Sequence, residues 1–294
     1  MSEFAVEKPD DRSASGLADW IEALMLVEGT SRLSRTAVKR RLRGLSSTNG
    51  DLDFDVDLLL AEVAERRRVA PDVYPFERNE RGGVARVARV SPTTYAFLLW
   101  LSAPFSPLRT ESRYSETDRW FDLLVLNVLL TYLGPGSIGV RFGFPASDGR
   151  PTSFPEAIRW VAEKLGLSEG VGTPSTEIKD GGVDVIAWKP FGDNRSGFLV
   201  LLAQVTAEEG WRSKFGNILL KRWEAWVDFG ADPITALAVP FALSWDWERW
   251  DDLRRATTLL LDRFRLLEYV NPDELEDADA IERWVDAESA KMRL

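Results

Sequence analysis

Apolar residues near the start of the chain recur with a helical period. Three amphipathic segments, residues 17–29, 34–45 and 56–68, are separated by turn-forming stretches such as 46–51. The pattern predicts a mainly helical N-terminal module. Within residues 71–92, Val alternates with Ala or Arg over 82–90, which predicts a small hairpin. The apolar segment 93–102 is predicted to be buried.

From residue 118 the pattern alternates between helical and strand periods, which is typical of an α/β fold. It predicts a helix at 117–134, a strand at 138–144, a helix at 154–167 and a hairpin of strands 182–188 and 198–206. A helix at 208–230, a buried strand at 234–243 and a long helix at 247–270 follow. We therefore expect four regions. They are a flexible tail (1–16), a mainly helical module (17–112), an α/β domain (113–270) and an acidic helical tail (271–294) that covers the core or binds another subunit.

The amino-acid composition excludes several kinds of catalytic and metal-binding site. The 294 residues include no Cys and no His, which excludes disulfides, thiolate zinc sites, Ser-His-Asp triads and HExxH metalloproteases. Carboxylate, amide, hydroxyl, Lys and Arg groups are left, and carboxylates with Lys suit a magnesium-dependent phosphodiesterase. The net charge of −10 argues against a non-specific nucleic-acid coat but permits a metal-binding carboxylate site.

The sequence also carries an expectation about location. The first residues lack the basic and apolar regions of a secretory signal. The longest apolar stretches, such as 123–130, fall short of the roughly 20 residues that a membrane span needs. We therefore expect a cytoplasmic protein without membrane contacts.

The predicted hairpin holds the candidate chemistry. A strand period of two places Asp184 on one face with Ile186 and Trp188, as the single charge of an apolar strand. Gln204 is likewise the only amide at the end of the next apolar strand. Carboxylate and amide oxygens can ligate Mg²⁺ or Mn²⁺. Lys214, beside the inward stripe of the following predicted helix, could reach the hairpin end and neutralise a scissile phosphate.

A basic run marks the second N-terminal segment. Lys39, Arg40, Arg41 and Arg43 lie close together in a segment that could be the second helix of a helix-turn-helix. These side chains are candidate contacts to nucleic-acid phosphates. The alternative is a solvated basic helix face.

The order helix, strand, hairpin, helix, strand, with segments GGVDVIAW and FLVLLAQVT, resembles the PD-(D/E)XK restriction-endonuclease-like superfamily over roughly residues 118–245. It is most similar to the Mrr-type branch, which has Gln in the second motif, and an aromatic-acidic pair is present here as Phe121 and Asp122. The resemblance implies a mixed sheet flanked by helices and metal-dependent DNA cleavage. It implies that Asp184 and Gln204 bind the metal, Asp122 supports it and a Lys acts on the phosphate.

The chain departs from this pattern at Thr206, where the superfamily normally has Lys, and Lys214 is the candidate substitute. The segments VDVIAWKPF and AQVTAEEGW also resemble uncharacterised bacterial proteins of antiphage defence. The resemblance thus implies that DNA and other defence proteins are partners. A homo-oligomer is a further possibility.

Three functions follow from these observations. The first is a magnesium-dependent DNA endonuclease in bacterial defence. The second is a degenerate nuclease fold that binds nucleic acid or a partner protein, and the third is a protein-interaction scaffold. Each candidate residue also has a structural alternative. Asp184 could end a hairpin or cap a turn, and Gln204 could satisfy a buried backbone group. Lys214 could lie along a helix flank, and Asp122 could stabilise a helix N-terminus.

Overall fold

The computed structural model describes residues 13–43, 52–88, 92–102, 116–243, 250–251, 255 and 259–292. Of the predicted flexible tail (1–16), residues 1–12 lie outside these ranges. The N-terminal part contains helices α1 (Ala14–Val27), α2 (Arg35–Arg43), α3 (Leu52–Val69) and α4 (Thr93–Ser102), with strands β1 (Arg32–Leu33), β2 (Phe76–Arg78) and β3 (Val84–Arg86).

The larger C-terminal part alternates helices and strands. Its helices are α5 (Glu116–Leu133), α6 (Phe154–Leu165), α7 (Leu220–Trp226), α8 (Arg263–Tyr269) and α9 (Ala278–Lys291). Its strands are β4 (Ile138–Arg141), β5 (Val185–Lys189), β6 (Leu199–Val205), β7 (Ile234–Ala238) and β8 (Leu259–Leu261). Short 3-10 helices span Trp211–Lys214 and Pro272–Glu274.

The N-terminal strands form a three-stranded antiparallel sheet in the order β1-β3-β2. The predicted hairpin in 71–92 is therefore present as β2 and β3. Helices α1, α2 and α3 precede these two strands. Helix α1 begins at Ala14, inside the segment predicted as a flexible tail, because the Ser13 hydroxyl accepts a hydrogen bond of 3.1 Å from the Gly16 N–H.

The second sheet is mixed and has the order β4-β5-β6-β7-β8. The pairs β4-β5 and β5-β6 are antiparallel, whereas β6-β7 and β7-β8 are parallel. Helices pack against it, so the expected α/β class with a helical N-terminal region is confirmed. Of the described helices, none combines the length and the apolarity needed to cross a membrane.

Two predicted long helices are wrong. Residues 208–230 form the 3-10 helix Trp211–Lys214 and the separate helix α7. The glycine between them, Gly216, has φ +78°, a left-handed conformation that ends helices. The second predicted helix, 247–270, contains strand β8, which pairs in parallel with β7. The apolar run in this segment fits a buried strand as well as a helix. It forms a strand because it pairs with β7 and so becomes the edge of the sheet. The Asp262 carboxylate then begins α8 by accepting a hydrogen bond from the Arg265 N–H.

The acidic C-terminal segment covers the core, which was one of its two expected roles. Helix α9 buries Ile281 and Val285 against a core that extends from α1 to the five-stranded sheet. The Trp284 ring lies 5.6 Å from the Phe97 ring and 6.3 Å from the Trp120 ring, centre to centre. The N-terminal helices and the sheet therefore share one hydrophobic core.

A buried polar network connects the two ends of the chain inside this core. The Asp19 carboxylate on α1 accepts hydrogen bonds from Arg66 Nη1 at 2.6 Å, and from Arg263 Nη1 at 2.7 Å and Nη2 at 2.9 Å. Glu22 accepts from Arg66 and from the Tyr95 hydroxyl. Burial opposes ionisation of Asp19, but the charges of Arg263 and Arg66 outweigh it and lower the pKa of Asp19 to about 2.

Candidate functional site

A cleft of about 1230 Å³ opens where α5, β5 and β6 meet. We call this space the cleft. Its walls come from the start of α5, the loop after β4, the residues just before β5, the segment after β6 and the end of α4. All four residues predicted to carry the chemistry line it: Asp122, Asp184, Gln204 and Lys214.

Asp184 lies at the bend that immediately precedes β5. The last paired residues of the ladder are Val185 and Ala203, so Asp184 and Gln204 are the next positions on the two strands. The Asp184 N–H donates to the Ala203 carbonyl at 2.8 Å, and the Val205 N–H donates to Asp184 Oδ2 at 2.8 Å. The carboxylate is thereby fixed across the two strands, with Oδ1 directed to the neighbouring loop.

The carboxylates of Asp122 and Asp184 converge at Gly143. A Cβ atom on this glycine would lie 3.0 Å from Asp122 Oδ2 and 3.1 Å from Asp184 Oδ1. The loop is held there because the N–H groups of Phe142 and Gly143 donate to the Asp184 carbonyl at 2.6 and 2.9 Å. A side chain at this position would press on both carboxylates, so glycine lets them approach the same point closely.

Arg141 is the cation closest to this pair. Its Nε donates to Asp122 Oδ2 at 2.8 Å, and both side chains are almost completely buried. Its Nη1 donates to the Pro145 carbonyl at 3.0 Å and to the Ser147 hydroxyl at 2.7 Å. Arg141 thus orients Asp122 and fixes the loop after β4.

Simultaneous ionisation of Asp122 and Asp184 is electrostatically unfavourable. Burial raises the pKa of Asp184 to about 7, and the Asp180 charge adds to this, while the Val205 N–H and the charges of Arg141 and Lys214 act in the opposite direction. Burial and the charge of Asp184 raise the pKa of Asp122 well above its ordinary value. The single guanidinium of Arg141 does not offset this.

Lys214 reaches the cleft from the 3-10 helix and not from the α-helix that was predicted. Its ammonium Nζ lies 3.2 Å from the Glu208 carboxylate, and Glu208 is about two-thirds exposed. Thr206 stands where the superfamily that the sequence resembles has Lys. Its side chain is buried, and its hydroxyl accepts a hydrogen bond from the Glu208 N–H at 3.2 Å. Thr206 therefore shapes the turn that carries the carboxylate partner of Lys214.

The donor set fits a hard divalent cation. Asp184 Oδ1, an Asp122 oxygen and the Gln204 amide oxygen line one cleft, and oxygen donors of these kinds are those that Mg²⁺ and Mn²⁺ prefer. A cation between the carboxylates would also hold both of them ionised. The described residues contain no group of three or more His, Cys, Asp or Glu side chains that could hold a metal ion.

No family model, curated protein or solved structure matches the chain.

The predicted nucleic-acid contacts lie on α2, outside the cleft. Lys39 Nζ is 2.5 Å from Asp53 Oδ2 and Arg41 Nη2 is 2.7 Å from Glu28 Oε2, so both already have acidic partners. Arg40 and Arg43 are exposed. Contact of these four residues with nucleic acid stays a prediction.

Sequence reasoning missed Arg141 and Gly143. Arg141 is the one charged residue in the predicted strand 138–144, which is the same signal that identified Asp184. Gly143 gives no such signal, because its importance comes from two side chains that approach it from distant parts of the chain.

Proposed function

We propose that the protein is a divalent-metal-dependent DNA endonuclease with a restriction-endonuclease-like α/β core. The observation that carries the proposal is the convergence of the Asp122 and Asp184 carboxylates at Gly143, in a cleft that also contains Gln204 and Lys214. The helix, strand and hairpin order of the core supports it. A role in bacterial antiphage defence, with partner proteins of that system, is part of this proposal and rests on the sequence resemblance.

The reaction would be hydrolysis of a phosphodiester, in which water adds to phosphorus and the leaving oxygen takes up a proton. A divalent cation would supply charge stabilisation at the phosphate. Asp184 and Gln204 would hold that cation through their oxygen atoms, and Asp122 would complete its acidic environment. Arg141 would keep Asp122 oriented, since it donates to Oδ2 of that residue.

Lys214 would contact the phosphate after exchanging its partner. Its ion pair with Glu208 is solvent-exposed on the Glu208 side, and exposed ion pairs contribute only about 0–1 kcal/mol. A phosphate oxygen can therefore replace the carboxylate at low cost. The ammonium would then offset the negative charge that grows on the phosphate during hydrolysis.

The first experiment is cleavage of plasmid and linear DNA with Mg²⁺ or Mn²⁺. We expect Asp184→Ala and Lys214→Ala to lose cleavage, whereas the exposed controls Asp193→Ala and Lys164→Ala keep it. Both control positions lie outside the cleft. Cutting that survives in Asp184→Ala at equal folded concentration would contradict the proposal.

A second experiment tests the geometry and does not depend on Asp184. Gly143→Ala would introduce a methyl group about 3 Å from both carboxylates, so we expect at least tenfold weaker Mn²⁺ binding and a matching loss of cleavage. Binding is measured as the rise in melting temperature on adding Mn²⁺. An unchanged Mn²⁺ response would mean that the metal does not lie between these carboxylates.

A second function is favoured by two observations, Thr206 in place of Lys and the Glu208 partner of Lys214. In this alternative the fold binds nucleic acid or a partner protein without cutting. Metal-independent DNA binding with no cleavage by the wild type, under conditions where the protein is folded, would favour it.

A further inference from the structure

A second, smaller cavity adjoins the cleft. It has a volume of about 310 Å³, and Gln204 and Lys214 line both spaces. Gln204 on β6 pairs with Leu237 on β7, and Leu202 pairs with Thr235, so these side chains share one face of the sheet. We call this cavity the side pocket, and its further walls are Phe215, Gly216, Ile218, Leu219, Leu220, Lys221 and Ala236.

The side pocket has the chemistry of a small ligand site. Apolar side chains, among them Phe215 and Ile218, form most of its walls, and its polar side chains are Gln204, Thr235, Lys214 and Lys221. Phe215 is held by an edge contact with the Trp211 ring, at 5.6 Å between centroids. The volume is at the lower end of the range of about 300–1,000 Å³ for small-molecule sites, which suits a single flat heteroaromatic group.

The charge of the cleft shows why such a pocket would matter for DNA. Three basic side chains line the cleft, and each has an acidic partner: Arg119 with Asp277, Arg141 with Asp122, and Lys214 with Glu208. Additional acidic residues line it, namely Glu116, Asp118, Asp180, Asp184 and Glu209. Basic side chains alone therefore supply little affinity for phosphates here, and part of the binding energy has to come from another part of the nucleotide.

We infer that the side pocket binds one unstacked nucleobase of the DNA strand whose phosphate lies between Asp184 and Lys214. A base is the flat, apolar-faced group that is covalently linked to that phosphate through a sugar. Its faces would contact Phe215 and Leu237, and its edge would exchange hydrogen bonds with Gln204 and Thr235. This inference rests on the proposed function and specifies its substrate, which is a strand with an accessible base, single-stranded or locally opened.

The test measures binding of short single-stranded oligonucleotides by the full chain, with Ca²⁺ in place of Mg²⁺ to prevent cutting. Each oligonucleotide carries one abasic position, moved along the sequence. We expect the wild type to bind about tenfold more weakly when the abasic position coincides with the pocket, a loss within the range of base stacking on protein side chains. Abasic positions elsewhere should have a smaller effect.

Filling the pocket should remove this discrimination. We expect Thr235→Phe to bind the intact oligonucleotide about as weakly as the wild type binds its most affected abasic form. Thr173→Phe adds the same ring at an exposed position outside both cavities and should retain the discrimination. Leu219→Trp is a second filling variant, at a side chain that is half exposed on the rim, in case Thr235→Phe does not fold.

The outcomes separate the inference from the proposed function. If DNA is cut in an Asp184-dependent way but no abasic position matters, or if the filled variants still discriminate, the side pocket does not bind a base and the nuclease proposal stands. If the wild type neither binds nor cuts DNA, the proposed function is wrong and the inference falls with it.

Discussion

Replacing Arg263 with Met should strongly destabilise the fold. The guanidinium is fully buried and donates to Asp19 twice, to the Ser102 hydroxyl at 2.7 Å, to the Tyr95 hydroxyl at 3.2 Å and to the Pro240 carbonyl at 2.9 Å. Removing one partner of a buried ion pair costs about 3–5 kcal/mol, because the remaining charge stays buried. Asp19 keeps Arg66, so we expect a loss of about 3–4 kcal/mol in the free energy of unfolding.

The pH dependence gives an independent measure of the same pair. The pKa of Asp19 in the folded state, about 2, is below its ordinary value of 3.8. Ionised Asp19 therefore contributes roughly 2 kcal/mol of stability, which is fully present above about pH 4 and is lost as the pH falls toward 2. In Arg263→Met this acid-side loss should be smaller.

Urea unfolding of the wild type, Arg263→Met, Asp19→Asn and the double variant at several pH values measures both quantities. The exposed substitution Arg195→Met serves as the control. A cost below about 1 kcal/mol for Arg263→Met, or single effects that simply add in the double variant, would refute the reasoning.

Three further predictions concern stability and binding. Burial raises the pKa of Asp262 from 3.8 to about 6, so the folded state favours the protonated form and stability falls by up to about 3 kcal/mol as the pH rises from about 4 past 6. Asp262→Asn, whose amide oxygen can still accept from the Arg265 N–H, should be more stable than the wild type at pH 7 and lose this advantage by pH 4 in urea unfolding. DNA affinity should depend weakly on salt, with a log–log slope shallower than about −2 in filter binding, and a slope steeper than about −4 would contradict the account of the cleft. Trp284→Ala should lower stability by about 2 kcal/mol in thermal unfolding, because the half-buried ring packs on Phe97 and Trp120, and an unchanged melting temperature would contradict that packing.

The sequence predicted those parts of the fold in which local pattern and tertiary structure agree. Helix α6 is an example: Pro155 lies in its first turn, its apolar stripe is continuous, and Gly166 ends it at φ +69°. The hairpin of β5 and β6 is another, because Asp184 is the single charge of the predicted strand 182–188 and Gln204 the only amide of the predicted strand 198–206. For such elements the local sequence is enough to predict the structure.

Other parts depend on contacts that no local pattern contains. The spacing of Trp211, Phe215, Ile218 and Leu219 fits a helical stripe, yet these residues form a 3-10 turn and a loop over the sheet, with Gly216 left-handed between them. The side pocket exists because of that loop. The sequence identified Lys214 as a candidate but not the path of the chain that brings it to the cleft.

The network around Asp19 has a consequence for how the protein is made on the ribosome. Asp19 and Arg263 are 244 positions apart in the chain. At a synthesis rate of about 5–20 residues per second, helix α1 emerges roughly 12–50 seconds before Arg263, the second of the two arginines that bind Asp19. Until then an acidic face of that helix has no complete partner, so the nascent N-terminal region depends on the very last helices for its final packing. A truncated product that lacks the C-terminal helices would therefore expose this face, and it should be a preferred target for cellular proteases.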